Sequence, residues 1–303
     1  MERFYRPKGF NIQDFDFVVK DDVLFAVFIK KRPSRTKQEP FKKPNRYGII
    51  LSDDGFVWKD HGDVLLPDAH GWDQSLWAGS ISRQGRGFVI YYSAILNKDR
   101  HASCKIGKAY SKDLIHWKKD PDNPVLLFDA ENPYYSDEPK LAFRDPFFFE
   151  HEGKKFVLFA GKDKSKPTRK QGCVGLVEET EPNKFQWRPP VYSPGKYFDG
   201  LECPALYFLQ NRWYLFFGLD IENVPVPHMK YAVSDNVFGP YLEPEGNKLL
   251  SDGHYIGRVV RFRKRVLYYA WYKDVSNGKI RIRLSSPRQV MIDKNGLLSL
   301  EEI

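Results

Sequence analysis

The sequence has few cysteines and no long apolar run. Its three cysteines lie far apart and show no CxxC spacing, so we predict neither a zinc site nor a disulfide framework. No segment approaches the roughly 18 consecutive apolar residues that a membrane-spanning helix requires. The amino-terminal residues also lack the apolar core of a signal peptide. We therefore expect a cytoplasmic protein that has no membrane partner.

Aromatic residues, by contrast, make up 16% of the chain. They favour half-buried strands, which predicts an all-β protein. The net charge of +9 raises the question of a nucleic-acid partner, because a basic face attracts phosphates. Much of that charge is concentrated in residues 30–43 and 161–170, which contain Pro or Gly and are typical of solvated loops. We therefore expect no nucleic-acid partner.

One strand–turn–strand unit recurs five times along the chain. The recurring apolar strands are FVVKDDVLFAVFI, GFVIYYSAI, KKFVLFAGK, RWYLFFGL and RVLYYAWY. Most are followed by another strand, a polar turn and an aromatic-bearing strand. The complete units begin at intervals of roughly 50 to 70 residues. A β-sandwich or jelly roll also has many short strands, but it does not repeat such a unit. We therefore predict a single all-β domain over residues 1–303, a five-bladed β-propeller with four antiparallel strands in each blade.

Three of the five units begin with a carboxylate, namely Asp14, Asp145 and Glu202. The first strand of each propeller blade lines the central channel, so these side chains should meet at its mouth. A single Asp at a strand start usually binds nearby backbone N–H groups. Three carboxylates placed together repel one another, which drives their protonation states apart. Glycoside hydrolysis requires this division between an acid and a carboxylate.

Four segments resemble motifs of glycoside hydrolase family 32, the fructan- and sucrose-cleaving enzymes. They are Trp77-Ala78-Gly79-Ser80, IGKAYSKDLIHWKKDPDNPVL, Phe143-Arg144-Asp145-Pro146 and Glu202-Cys203-Pro204. The segments follow the family's order, and the similarity covers most of the chain. The resemblance implies a glycosidase in which Asp14 is the nucleophile or base, Asp145 stabilises the transition state and Glu202 is the acid/base.

The resemblance also implies residues that bind the sugar. Trp77, Ser80 and Arg144 belong to this set through the family 32 motifs. The fifth unit carries Asp252-Gly253-His254, which resembles a segment of family 43 whose histidine lies near a channel ion. We therefore add His254 and Arg258 to the substrate-binding residues. We predict no cofactor and no metal ligand, with a channel ion near His254 as the alternative.

Two departures from family 32 affect these predictions. Gln13-Asp14-Phe15-Asp16 stands where the family has Asn-Asp-Pro-Asn. Asp16 is the alternative nucleophile, because strand alternation puts it on the same face as Asp14. An ungapped fit to the family favours Asp14, and we assign Asp16 to the substrate-binding residues. The sequence also ends where family 32 enzymes continue into a C-terminal β-sandwich, so we predict a propeller without that sandwich.

These observations predict a glycoside hydrolase that cleaves a terminal fructo-, arabino- or galactofuranoside bond in small oligosaccharides. The same residues would also suit a glycosyltransferase, in which a sugar replaces water as the acceptor. A non-catalytic carbohydrate-binding propeller is the alternative from another class, since aromatic side chains stack on ligand rings. Such a module would gain nothing from clustered acids. The sequence does not decide whether the configuration at the anomeric carbon is retained or inverted. It also leaves open whether the protein forms a homo-oligomer.

Overall fold

The computed structural model describes residues 4–33, 44–96, 104–138, 142–198, 200–219, 228–247, 254–276 and 279–303. In these residues the chain forms 21 strands and no helix. The strands are arranged in five antiparallel sheets, each built from consecutive strands. The predicted all-β, five-bladed propeller is therefore confirmed. The part of the chain described here contains no helix that is long and apolar enough to span a membrane.

In each blade the strands follow one another from the channel outwards. Blade 1 contains β1 (Asn11–Lys20), β2 (Val23–Lys31), β3 (Arg46–Ser52) and β4 (Lys59–Leu65). Blade 2 contains β5 (Ser75–Gln84), β6 (Gly87–Ile95), β7 (Lys105–Ser111) and β8 (Lys118–Lys119). Blade 3 contains β10 (Arg144–His151), β11 (Lys154–Asp163), β12 (Gly172–Glu181) and β13 (Lys184–Tyr192), with the short β9 (Tyr135–Ser136) paired to β11.

The last two blades depart slightly from this plan. Blade 4 contains β14 (Glu202–Leu209), β15 (Arg212–Leu219) and β16 (His228–Ser234). A single bridge between Val233 and Leu242 stands in the place of its fourth strand. Blade 5 contains β17 (His254–Phe262), β18 (Arg265–Ser276), β20 (Arg288–Ile292) and β21 (Leu298–Glu302), with β19 (Lys279–Leu284) paired to the end of β18.

The first strands of the blades form the innermost layer. Strand β1 lies against β5 and β17, and β10 lies against β5 and β14. The contact between β14 and β17 closes the ring around the channel. Tyr5 also joins the two ends of the chain, because its backbone N–H and C=O bind Leu284 of β19 at 3.0 and 2.8 Å. Aromatic side chains fill the space between blades, as where Tyr91 stacks on Phe148 with ring centroids 5.1 Å apart. Burying each such ring stabilises the fold by about 1.5–3 kcal/mol.

Two-residue turns explain how the inner hairpins form. Asp21 and Asp22, at the turn between β1 and β2, have φ angles of 50° and 58°. Gln210 and Asn211, between β14 and β15, have φ angles of 46° and 64°. Positive φ at both central residues is the signature of the turn whose twist matches that of the paired strands. The polar turns recognised in the sequence therefore set the register of these hairpins.

A β-bulge interrupts every innermost strand near the channel mouth. The register shifts lie at residues 13–16, 76–79, 144–147, 202–205 and 255–258. In four of them a non-glycine residue takes a positive φ: Asp14 at 38°, Asp145 at 60°, Cys203 at 47° and Ile256 at 46°. Each such conformation costs on the order of 1–3 kcal/mol and persists only when its surroundings hold it. Because a bulge redirects side chains, this repeated feature decides which residues point into the mouth.

The basic segments are only partly loops. Lys30 and Lys31 belong to β2, which corrects the prediction of a loop from residue 30, and residues 34–43 lie outside the described residues. In the second segment, Gly161 to Asp163 complete β11. The following turn is anchored by Lys164, whose Nζ donates to the Asn132 carbonyl at 2.7 Å.

Candidate active site

A cavity of about 300 Å³ opens at the mouth of the channel. Its walls come from all five blades, and they include Asp14, Trp77, Arg144, Asp145 and Glu202. The fold therefore brings together five of the residues selected from the sequence. The other lining residues are Gln13, Ile29, Lys31, Asn45, Ser75, Cys203, Tyr255 and Trp271.

Glu202 is held at the start of β14 by donors from both neighbouring blades. Arg144 Nη2 donates to Oε1 at 2.9 Å, and the Tyr255 hydroxyl donates to Oε2. Tyr255 in turn packs edge-on against Trp271, with ring centroids 5.2 Å apart. Bonds to two different oxygens fix the plane of the carboxyl group. The direction in which Glu202 faces the cavity is thus set by blades 3 and 5.

Asp145 is buried more deeply than Glu202 and is held by the backbone. Its Oδ2 accepts a hydrogen bond from the Cys203 N–H at 3.0 Å, and its own N–H donates to Ser93 Oγ at 2.8 Å. Arg144 Nε lies 3.6 Å from the same Oδ2. Burial raises the pKa of Asp145, an effect that Arg144 opposes and the negative charge of Glu202 strengthens. These hydrogen bonds hold the Asp145 carboxyl group in a fixed position at one side of the cavity.

Asp14 is a buried carboxyl group whose pKa is raised well above its ordinary value. Burial raises its pKa to about 7, and the negative charges of Asp145 and Glu202 add to this shift. Lys31 and Arg258 oppose it. No donor among the described residues hydrogen-bonds the Asp14 carboxyl group, which lines the cavity. Near neutral pH this carboxyl is thus divided between its neutral and ionised forms, and its oxygens are available to a ligand.

Four other residues selected from the sequence lie outside the cavity lining. Ser80 Oγ accepts the Phe148 N–H at 2.9 Å, which links blades 2 and 3. Asp16 accepts the backbone N–H groups of Phe17 and Ile81 at 2.9 and 3.0 Å. Burial raises the pKa of Asp16 to about 6 despite these bonds and the nearby guanidinium of Arg258.

His254 and Arg258 both lie on β17 but have different surroundings. The His254 ring packs against Tyr272, with ring centroids 5.0 Å apart. Arg258 is 2% exposed, and its Nη1 donates to the Cys203 carbonyl at 2.9 Å. The described residues contain no group of three or more His, Cys, Asp or Glu side chains that could hold a metal ion. A channel ion near His254 therefore stays a prediction.

Sequence reasoning missed Lys31 and Asn45, which line the cavity from blade 1. Lys30 at the end of β2 pairs with Arg46 at the start of β3. Lys31 directly follows Lys30, and Asn45 directly precedes Arg46. Burial lowers the pKa of Lys31, and Asp14 opposes this shift. The buried Asn45 Oδ1 has no hydrogen-bond partner among the described residues. The hairpin register would have placed Lys31 at the mouth, but the run of charge around it is typical of a loop.

Comparison with known proteins places these features in a family. Residues 7–297 match the family model described as glycosyl hydrolases family 32 N-terminal domain. The chain is also 27% identical to the levanase of Bacillus sp. (strain L7) over 265 residues, which cover 77% of this chain and 26% of the levanase. It therefore spans about a quarter of the length of that relative.

Solved structures of similar proteins share the propeller fold. Fructan 1-exohydrolase IIa from Cichorium intybus superposes with a TM-score of 0.75 at 18% identity, over 100% of this chain and 60% of the other. A thermostable family-43 glycoside hydrolase gives a TM-score of 0.70 at 16% identity, over 97% and 94% of the two chains. These two likenesses concern the fold alone, whereas the family model covers nearly the whole sequence. The chain belongs to glycosyl hydrolases family 32.

Proposed function

We propose that this protein hydrolyses the terminal glycosidic bond of a furanoside, with a fructofuranoside in a small oligosaccharide as the first candidate. The observation that carries the proposal is the convergence of Asp14, Asp145 and Glu202 in one cavity. A volume of about 300 Å³ is at the lower end for a ligand site, which suits one terminal sugar ring. The similarity to the levanase supports the choice of a fructosyl group.

In the first half of the reaction, Glu202 donates its proton to the glycosidic oxygen while an oxygen of Asp14 attacks the anomeric carbon. The bond from that carbon to the leaving oxygen breaks, and the rest of the substrate departs as an alcohol. The product on the protein is a glycosyl ester of Asp14. Asp145, held by the Cys203 N–H, is placed to stabilise the positive charge that develops on the sugar ring.

In the second half, Glu202 accepts a proton from water, and the resulting hydroxide oxygen attacks the same carbon. The ester bond to Asp14 breaks, which restores both carboxyl groups and consumes one water molecule. The two displacements retain the anomeric configuration. If a sugar hydroxyl takes the place of water, the same steps give transfer instead of hydrolysis.

The test is a substrate panel with matched variants. Purified protein is incubated with sucrose, short fructans and aryl arabino- and galactofuranosides, and monosaccharide release is measured. We expect release of the terminal sugar, and loss of this activity in Asp14→Asn and Glu202→Gln. The control is Glu150→Gln, an exposed carboxylate at the far end of β10, which should retain full activity. Absence of release from every furanoside would refute the proposal.

The anomer released first, followed by proton NMR, separates the two stereochemical courses. Retention is expected from the double displacement through Asp14. Initial release of the inverted anomer would show that Asp14 acts as a base toward water and would contradict the covalent step. Addition of an excess of a second sugar, with analysis of new oligosaccharides, measures the share of transfer.

A further inference from the structure

The buried pair formed by Asp16 and Arg258 lies on the innermost strands, one step further from the mouth than the cavity carboxylates. We propose that this pair is a positioning unit, which holds the strand segments bearing Asp14, Asp145 and Glu202 in their reactive arrangement without touching the substrate. The proposal rests on the proposed function for its kinetic consequences. Its structural basis is independent of the substrate.

Arg258 fixes the segment that carries Glu202. Its Nη1 donates to the Cys203 carbonyl at 2.9 Å and to the Gly257 carbonyl at 3.2 Å. Cys203 directly follows Glu202 in the bulge of β14. A guanidinium keeps its charge at any ordinary pH and presents its donors in a rigid fork. The start of β14 is thus tied to β17 immediately beside the proposed acid/base.

Asp16 extends this connection to two further strands. Its carboxyl oxygens accept the N–H of Phe17 on β1 and the N–H of Ile81 on β5. Its Oδ1 lies 3.8 Å from Arg258 Nε. The pair therefore links β1, β5, β14 and β17, which are four of the five innermost strands. Hydrogen bonds to both members offset part of the cost of burying two charges.

The strained residue Cys203 shows why this link bears on reactivity. Its φ of 47° belongs to a conformation that must be held by neighbouring contacts. The N–H on one side of its Cα donates to Asp145 Oδ2 at 3.0 Å, and the carbonyl on the other side accepts from Arg258. Removing the guanidinium would free one of these two peptide groups. Asp145 and Glu202 would then shift together.

The surroundings of the pair are those of a structural element. Asp16 and Arg258 are 6% and 2% exposed, and neither lines the cavity. The titratable groups that face Arg258 are Tyr207 on β14, Tyr268 on β18, Cys203 and the carboxyls of Asp14 and Asp16. A sugar in the cavity would therefore meet Asp14 and Glu202 before it reached the pair.

The kinetic test is Arg258→Lys, which keeps the charge and removes the fork. We expect kcat to fall about 10- to 100-fold, since a displacement of about 1 Å in a reacting group can cost 100-fold, while KM changes by less than about threefold. The matched control is Arg261→Lys on the same strand, where the exposed guanidinium donates to the Phe208 carbonyl. A tenfold rise in KM with unchanged kcat would mean that Arg258 binds substrate, and wild-type kinetics would remove any positioning role.

A double-variant cycle tests whether Asp16 and Arg258 act together. Asp16→Asn keeps one acceptor for a backbone N–H but removes the charge. If the pair is one unit, Arg258→Lys combined with Asp16→Asn should lose no more activity than the worse single variant. Losses in kcat that multiply would show two independent residues and overturn the idea of a unit.

A crystal structure of Arg258→Lys provides a readout that needs no activity. We expect the Cys203 peptide to rotate and the Cys203 N to Asp145 Oδ2 distance to exceed 3.5 Å. An unchanged bulge at Cys203 would overturn the proposal. If that variant does not fold, Asp16→Asn is examined in the same way, with the same expectation at Cys203. A wild-type protein that cleaves no furanoside would refute the proposed function, while these structures would still decide the positioning role.

Discussion

Asp14 and Asp16 lie two residues apart on β1, yet their carboxyl groups have different surroundings. Burial raises the pKa of both, to about 7 and about 6. The oxygens of Asp16 are occupied by two backbone N–H groups, whereas the Asp14 carboxyl faces the cavity without a protein donor among the described residues. A carboxylate with occupied lone pairs holds structure in place, and one with available lone pairs can attack a carbon atom. The two carboxyl groups therefore differ in their hydrogen bonding rather than in their burial.

The largest expected effect comes from neutralising Asp14. Asp14→Asn keeps the shape of the side chain but removes the attacking oxygen, so kcat should fall by about 10⁴-fold. Asn tolerates the left-handed conformation at this position, and the bulge should therefore persist. Steady-state kinetics on the best furanoside from the panel measures the loss. Asp21→Asn, in the exposed turn of the same hairpin, is the control. A loss below tenfold at Asp14 would assign attack to another group.

The next effect separates acid catalysis from nucleophilic attack. Glu202→Gln cannot donate a proton, so substrates with poor leaving groups should lose about 10²- to 10⁴-fold in kcat/KM. Aryl furanosides need little protonation and should lose less than tenfold. Rates for a sucrose-like and a nitrophenyl substrate are compared in the same preparation. Equal losses for both substrates would contradict the assignment of Glu202 as acid.

A smaller effect concerns the charge that faces Asp14. Lys31 lowers the pKa of Asp14, so Lys31→Met should raise it further. Because attack needs ionised Asp14, kcat/KM falls as pH drops through this pKa. The low-pH side of the plot of kcat/KM against pH, the acidic limb, should therefore move to higher pH in Lys31→Met. The carboxyls interact, so the limb reports an apparent pKa of the cluster. Lys31→Arg retains the charge and should leave the limb in place.

The neighbouring lysine provides the matched control for this shift. Lys30 also lies on β2, but its Nζ pairs with Asp63 at 2.8 Å. Lys30→Met removes the same formal charge from the protein without removing the charge that acts on Asp14. Its pH profile should match that of the wild type. An equal shift in both variants would mean that net charge, rather than the local contact, sets the limb.

The sequence predicted the blades because each unit repeats the same strand and turn pattern. It also predicted that Asp14, Asp145 and Glu202 meet, since the first strand of every blade lines one channel. Strand alternation could not separate Asp14 from Asp16, because it puts both on one face, and the preference for Asp14 came from the ungapped fit to family 32. The bulge between Gln13 and Asp16 breaks that alternation, and a bulge depends on contacts with other strands. The three-dimensional surroundings were therefore needed to distinguish the two carboxylates.

Side chains that support the site were harder to predict than the carboxylates. Ser80 fits a sugar-binding motif in the sequence, but the structure directs its hydroxyl to the Phe148 N–H of the next blade. Lys31 belongs to a run of basic residues that is typical of a loop, although in the structure it is the last residue of β2. Both outcomes depend on packing between blades, for which one sequence carries no local signal.

The smallest expected effect concerns Asn45, where binding rather than chemistry should change. Its N–H donates to Ser75 Oγ at 3.2 Å, which anchors the residue, while its buried Oδ1 has no partner among the described residues. A sugar hydroxyl could donate to this oxygen and relieve an unsatisfied acceptor. One such hydrogen bond contributes about 0.5–1.5 kcal/mol, so Asn45→Ala should raise KM about two- to tenfold with little change in kcat.

The control for this prediction is Asn295→Ala, in an exposed turn after β20, which should leave both constants unchanged. A deoxy-sugar substrate that lacks the contacting hydroxyl should bind the wild type and Asn45→Ala equally well. If every deoxy analogue instead lost affinity by the same factor in both proteins, Asn45 would make no contact with the sugar, and its acceptor would belong with the structural groups that include Asp16.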